Sequence, residues 1–162
     1  MGGPVAYIEA ITERYRRLGY EPYRWYRREA PPEWTPVKKP LSQGRLGVLS
    51  TAGGYVRGQV AFHYKDDTSL RAVAKATPRG EIRFAHLTEN YLVDPRQDPD
   101  CILPLAPLRR LAAEGAIGEL ADPVLSCMGG IYSQRRVREE LIPAVAGHFA
   151  AAKIDLALLI PM

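Results

Sequence analysis

Leu46-Gly47-Val48-Leu49-Ser50-Thr51-Ala52-Gly53-Gly54 runs from a short apolar stretch directly into a glycine pair. A brief continuous apolar run closed by turn residues is the pattern of a strand buried on both faces, as in a parallel sheet. The same grammar recurs downstream. Pro123–Met128 is closed by Gly129-Gly130, Ile154–Ile160 is apolar apart from Asp155, and Ile82–Leu87 carries His86 near its end. Between these runs the period changes. Pro104 can open a helix in which Leu105, Leu108, Leu111 and Ala112 share a face up to Gly115. Ser133 is a suitable N-cap for a helix from Gln134 to about Ala152. Strands alternating with helices predict an α/β fold: three layers, doubly wound (Rossmann/flavodoxin-like), with a mostly parallel sheet of about four strands. Ile154–Ile160 reads as a central strand. Residues 55–80 read as loop, with turn signals at Asp66-Asp67-Thr68 and Thr77-Pro78-Arg79-Gly80.

Working outward from this core, residues 45–162 form the α/β domain and residues 1–44 a different kind of segment. Residues 4–18 predict a helix in which Val5, Ile8, Ile11, Tyr15 and Leu18 recur at helical spacing, with Gly19 as its stop. Tyr20 to Pro40 is a proline-rich arm with Tyr23, Trp25, Tyr26 and Trp34 interleaved, and its rings are expected to pack on a neighbouring surface. Arg14, Arg16, Arg17, Arg24, Arg27, Arg28, Lys38 and Lys39 concentrate positive charge here, in a chain whose net charge is +4. No nucleic-acid motif accompanies the charge, so a solvated arm or protein surface is the reading, with no nucleic acid.

The 162 residues suffice for one real core. Cys101 and Cys127 are too few and too far apart for a disulfide framework or a zinc site. The first residues do not read as a signal peptide and no apolar run is long enough to span a bilayer, so a cytoplasmic location without a membrane is expected.

Ligands of open parallel sheets collect beyond the carboxyl ends of the strands. Three such ends carry distinctive residues: Thr51, Gly53 and Gly54; His86 with Glu89; and Cys127, Gly129, Gly130, Ser133 and Arg135. Glycines let backbone amides approach a ligand, and a helix N-terminus favours an anion such as a carboxylate. The plain alternative is that the glycines only make turns. Neither pair fits a dinucleotide or phosphate-loop pattern. His86 could serve as acid or base, or pair with Cys127 to make a thiolate, although a lone His and a lone Cys at strand ends are more often structural. His63 and His148 have weaker cases. Glu89, Asp94, Asp98 and Asp100 could offer oxygen ligands, but without calcium-loop spacing they read as a solvated loop, and no metal is expected. Arg135, Arg136 and Arg138 could clamp a substrate carboxylate or bind an acidic partner, and Arg135 is the one expected to face the sheet end.

Together, Leu46 through Gly54, Cys101-Ile102-Leu103-Pro104-Leu105 through Glu114-Gly115-Ala116-Ile117-Gly118, and Met128-Gly129-Gly130-Ile131-Tyr132-Ser133 resemble the selenoprotein B component of the glycine, sarcosine and betaine reductases and of D-proline reductase. The resemblance runs from about Arg45 to the last residue. It implies a subunit of a cytoplasmic complex that reductively cleaves a carbon–nitrogen bond in an amino acid or related amine. It also implies a selenocysteine or cysteine as the redox residue, a partner subunit whose pyruvoyl group binds substrate, and a dithiol reductant. In that family the selenium follows a strand late in the domain. The matching strand here is Asp155–Met162, so the chain is expected to be an N-terminal fragment with its redox residue beyond Met162.

Under this reading Thr51, Gly53, Gly54, Gly129, Gly130, Ser133 and Arg135 bind substrate, with His86 and Cys127 nearby as candidate catalytic groups. The other reading is a non-catalytic α/β assembly or small-anion-binding module. A homodimer is expected from the apolar surface left beside the last strand.

Overall fold

The computed structural model describes residues 3–22 and 25–162. They fall into two compact units, 1–34 and 35–162. In the first, the expected helix runs over Tyr7–Arg17 (α1), with Glu9 in its first turn and Arg14, Arg16 and Arg17 in its last, each favourable to the helix dipole. Glu13 pairs with Arg16 at 2.7 Å and Arg17 at 2.9 Å. The chain leaves the helix through Gly19 at φ +81°. The apolar stripe is real in sequence, yet no α1 residue is buried. In the arm, Tyr20 meets Tyr15 with ring centroids 5.8 Å apart. Tyr26 and Trp34 are exposed, and Tyr23 and Arg24 lie outside the described residues.

The second unit is a mixed α/β fold. Its strands are Arg45–Ser50 (β1), Gly54–Val56 (β2), Arg71–Val73 (β3), Ile82–Phe84 (β4), Glu119–Leu120 (β5), Val124–Ser126 (β6) and Leu156–Ile160 (β7). Its main helices are Val93–Gln97 (α2), Leu105–Ala113 (α3), Gln134–Arg136 (α4) and Ile142–Ala151 (α5). β1 is the hub. β7 runs parallel along one edge, from Leu46↔Leu156 to Ser50↔Ile160. β5 and β6 share the other edge, also parallel, with Leu46 opposite Leu120 and Leu49 opposite Leu125. Three steps along β1 thus match five along its neighbour, so β5 and β6 act as one strand interrupted at Ala121–Pro123, where Asp122–Pro123 is cis. β3 joins β6 antiparallel.

Three readings of the sequence are corrected. Ile82–Leu87 contributes only Ile82–Phe84, which pairs antiparallel with β2 in a separate two-stranded ribbon. Gly53, at φ +66°, turns the chain out of the direction of β1 and starts that ribbon. The supposed loop 55–80 holds most of β2 and all of β3. β7 is an edge strand: among the described residues it pairs with β1 alone. Its Leu158 and Leu159 are exposed, and α5 buries no residue. The long final helix loosens into a π-turn over Val137–Leu141, just ahead of Pro143. Proline has no N–H to donate to the preceding turn, so the regular ladder cannot run through it.

The core packs Leu46 and Val48 of β1, Val73 of β3 and Val124 of β6 with Leu92, Leu103, Leu105 and Leu108. Ser50 and Ser126 are wholly buried within this apolar surround. Each is satisfied: Ser50 Oγ donates to Ile102 O at 2.7 Å, and Ser126 Oγ accepts from the Gly54 N–H at 2.8 Å.

Candidate functional site at the strand ends

Beyond Ser50 the chain meets two neighbouring strand ends at once. The Thr51 N–H donates to Ile160 O at 3.0 Å, and the Gly53 N–H to Cys127 O at 2.9 Å. Gly53 O in turn accepts from the Ala85 N–H at 3.0 Å, which brings the segment after β4 onto the end of β1. A β-carbon at Gly53 would lie 2.0 Å from Ala85 O, so only glycine fits. The amides of Gly53 and Gly54 are therefore engaged by the scaffold and are not presented to a ligand.

The turn delivers His86 to the same place. Its side chain is buried. Nδ1 accepts from the Thr88 N–H at 3.1 Å and lies 2.7 Å from Thr88 Oγ1. With Nδ1 acting as acceptor, the ring proton sits on Nε2, and that atom is buried without a partner. It faces Gly129. A β-carbon there would lie 3.0 Å from His86 Nε2, 3.0 Å from Thr51 Oγ1 and 2.8 Å from Thr51 O. Thr51 Oγ1 also accepts from the Met162 N–H at 2.9 Å. Thr51, His86, Gly129 and the segment leaving β7 thus converge on one spot, and the bare Cα of residue 129 is what lets them pack so closely.

Burial holds the His86 ring below the ordinary histidine pKa, with the Glu89 carboxylate acting in the opposite direction. A neutral ring with its proton on Nε2 is a hydrogen-bond donor at this point and not a base. Cys127 is buried, and desolvation pushes its thiol up to about 11. No bond joins the His86 ring to it, since Nδ1 is taken by Thr88 and Nε2 has no partner. The pair does not make a thiolate.

Gly130 is adjacent, and a β-carbon there would lie 3.1 Å from the Leu87 side chain. Ser133 and Arg135 are used elsewhere. Ser133 Oγ accepts from the Arg136 N–H at 3.3 Å, as an N-cap does. The N–H groups of Tyr132 and Ser133 donate to Asp66 Oδ1 at 2.7 and 2.9 Å, so a protein carboxylate already occupies the helix start. Arg135 pairs with Glu139 at 2.7 Å on the exposed face. Arg136 holds Glu140, Thr68 Oγ1 and Asp66 O. Hydrogen bonds from Arg136 and Thr68 hold the Glu140 carboxyl down at about 2.

The remaining candidates lie in exposed or locally paired positions. His63 Nδ1 lies 3.2 Å from the Lys65 N–H, and His148 is exposed on α5. In the acidic loop, Glu89 pairs with Arg96, and Asp98 and Asp100 pair with Arg79. Among the described residues no group of three or more His, Cys, Asp or Glu is placed to hold a metal ion, and no helix is long and apolar enough to cross a membrane. Sequence reasoning missed Thr88, which fixes the His86 tautomer from two positions away, and Asp66. The first has a visible signal, a hydroxyl residue at His+2. The second has none, because its partners lie 66 and 67 residues along the chain.

No protein-family model and no solved structure matches the chain. Over 129 residues, 80% of its length, it is 30% identical to D-proline reductase subunit gamma of Acetoanaerobium sticklandii. That match covers 53% of the relative, so the chain spans about half the length of the curated protein it resembles. In sequence, then, it is a relative of a D-proline reductase subunit.

Proposed function

We propose that this chain is the scaffold portion of a subunit in a reductase complex of the D-proline reductase type, acting on a carbon–nitrogen bond of an amino acid or related amine. One observation carries the reading: Thr51, the unpartnered donor of His86 and the bare Gly129 meet where β7 ends, in a chain 30% identical to such a subunit. The glycine and betaine reductases are the related alternatives for substrate.

A selenocysteine or cysteine just beyond β7 would supply the reducing chalcogen, with substrate bound by a pyruvoyl group on the partner subunit and electrons restored by a dithiol. Thr51, the buried and unpartnered His86 ring nitrogen and Gly129 are the residues beside which such a group would lie. Thr51 and His86 supply polar groups, and Gly129, bare of a side chain, lets the strand ends approach. Cys127 stays a thiol in the scaffold. Asp66 already fills the helix start where a substrate carboxylate was expected, so that helix start is closed to it. The same blockage disfavours an anion-binding module.

The test is reconstitution. The gene is read beyond the codon for Met162, and the subunit it encodes is combined with its partner subunit, a dithiol and D-proline. Ring-opened amino acid should form, and Gly129→Val should abolish it. Failure to reduce D-proline, glycine or betaine would overturn the reading.

A further inference from the structure

We infer that the loops beyond the strand ends form a docking face, carried by Tyr64, Leu87, Tyr91 and Tyr132, for the partner protein that brings the substrate to this site. The matching surface of that partner is apolar, with acceptors for tyrosine hydroxyls and little charge. This rests on the strand ends being the reacting site, as proposed above.

Three segments converge there. Arg71 of β3 lies opposite Ser126, the last residue of β6, in an antiparallel pair, so residues 60–70 lie beyond the carboxyl end of β6. Residues 87–92 follow His86, which the Ala85 N–H bond to Gly53 O holds at the end of β1. Residues 129–133 follow β6 itself. The segments are tied to one another: Asp66 Oδ1 accepts from the Tyr132 and Ser133 N–H groups, and the Leu87 side chain packs on Gly130. On this frame Tyr64, Tyr91 and Tyr132 stand 65, 64 and 66% exposed, and Leu87 36%. Tyrosine combines a large apolar ring with a hydroxyl at small cost in rotamer freedom, and it is enriched where proteins meet.

Two observations identify the occupant. The polar groups that could bind a substrate on this chain are engaged internally: the Gly53 and Gly54 amides by Cys127 O and Ser126 Oγ, the helix start by Asp66, and Arg135 by Glu139. Even a β-carbon on Gly129 would press on both His86 Nε2 and Thr51, so no substrate fits between them. A residue leaving β7 therefore meets a substrate held on another protein. The second observation is charge, which is nearly all compensated within the three segments. Asp66 is held as above, Asp67 faces Arg71 at 3.9 Å and Glu89 pairs with Arg96, which leaves Lys65. A strongly charged partner would gain little here, and an apolar one loses little hydration on approaching the rings.

The test reads binding, not turnover, so it can fail independently of the reductase reading. The subunit used for reconstitution is titrated with its partner subunit by calorimetry at about 50 and 500 mM salt, and hydrogen exchange is followed in the free and bound states. Tyr91→Ser and Tyr132→Ser should each weaken binding at least about tenfold. Trp34→Ser, exposed on the arm, should leave Kd unchanged, and salt should move it less than about twofold. Amides of residues 87–92 and 129–133 should gain protection in the complex. Tyrosine variants that bind as well as the wild type, protection confined to other segments, a steep loss of affinity with salt, or no binding would each overturn the inference. So would self-association through the same tyrosines, which would make a second copy the occupant. Hydrogen exchange decides the matter without any variant having to fold. Binding through the tyrosines without reduction of D-proline, glycine or betaine would overturn the reductase reading alone.

Discussion

Replacing Gly53 by alanine tests how the site is assembled. The new β-carbon would sit 2.0 Å from Ala85 O, inside any real contact distance, at a backbone φ of +66°. The left-handed conformation alone costs an alanine about 1–2 kcal/mol. The overlap is with backbone and cannot be relieved by a rotamer change, so Ala85–His86 must move away. That breaks the Gly53–Cys127 and Ala85–Gly53 hydrogen bonds of 2.9 and 3.0 Å, each worth about 1 kcal/mol. The sum is about 3–4 kcal/mol, a large part of the stability of an ordinary domain. For a chain of this length that corresponds to a fall in Tm of roughly 10–15 °C. Gly58→Ala is the control. It has φ +93° but nothing within 4 Å of its added carbon, so it should bear the backbone cost alone and lose only a few degrees. Thermal unfolding of the two variants by circular dichroism decides the matter. Equal losses would refute the steric argument, and with it the claim that Gly53 locks His86 onto the end of β1.

Two further outcomes are expected. At pH 8 a thiol reagent should modify the native chain at exposed Cys101 and leave Cys127 untouched until denaturation, since burial raises the Cys127 thiol to about 11; mass spectrometry that finds Cys127 labelled first would count against its placement. His86 also predicts a pH dependence. Its native pKa lies below the unfolded value of about 6.5, so in the window below 6.5 the unfolded chain binds more protons and stability falls as the pH falls. Denaturation midpoints of the wild type should therefore drop from pH 6.5 toward 5, whereas those of His86→Asn should stay level until carboxylates protonate, and parallel curves would refute the burial of the ring.

What could be read from the sequence tracks the length and bounding of each element. β1, β6 and β7 were legible because apolar runs end in glycine or proline, and α3 because Pro104 and Gly115 bracket a clean stripe. β2 and β3 are three residues each, too short for alternation to register. The sheet to which β4 belongs was hidden for a different reason: it depends on the φ of Gly53, which composition does not reveal. β7 misled because its apolarity suggested two-sided burial, whereas Leu158 and Leu159 are exposed. At the site, residue type was enough to flag His86, Thr51 and Gly129. It could not reveal that the Gly53 and Gly54 amides are engaged internally, or that Asp66 caps a helix so distant in the chain.

The position of β1 at the centre of the sheet has a consequence for how the molecule is made. None of its sheet partners is local: β6 begins at Val124, and the Arg45 N–H that closes onto Asp155 reaches 110 residues along the chain. During synthesis the Leu46–Ser50 segment therefore leaves the ribosome well before either flank exists. Loop closure of that length must precede any gain from pairing, which places this sheet among slowly folding topologies. Until Leu156–Ile160 arrives, one edge of this central strand stays open, and that interval is when a chaperone has most to protect.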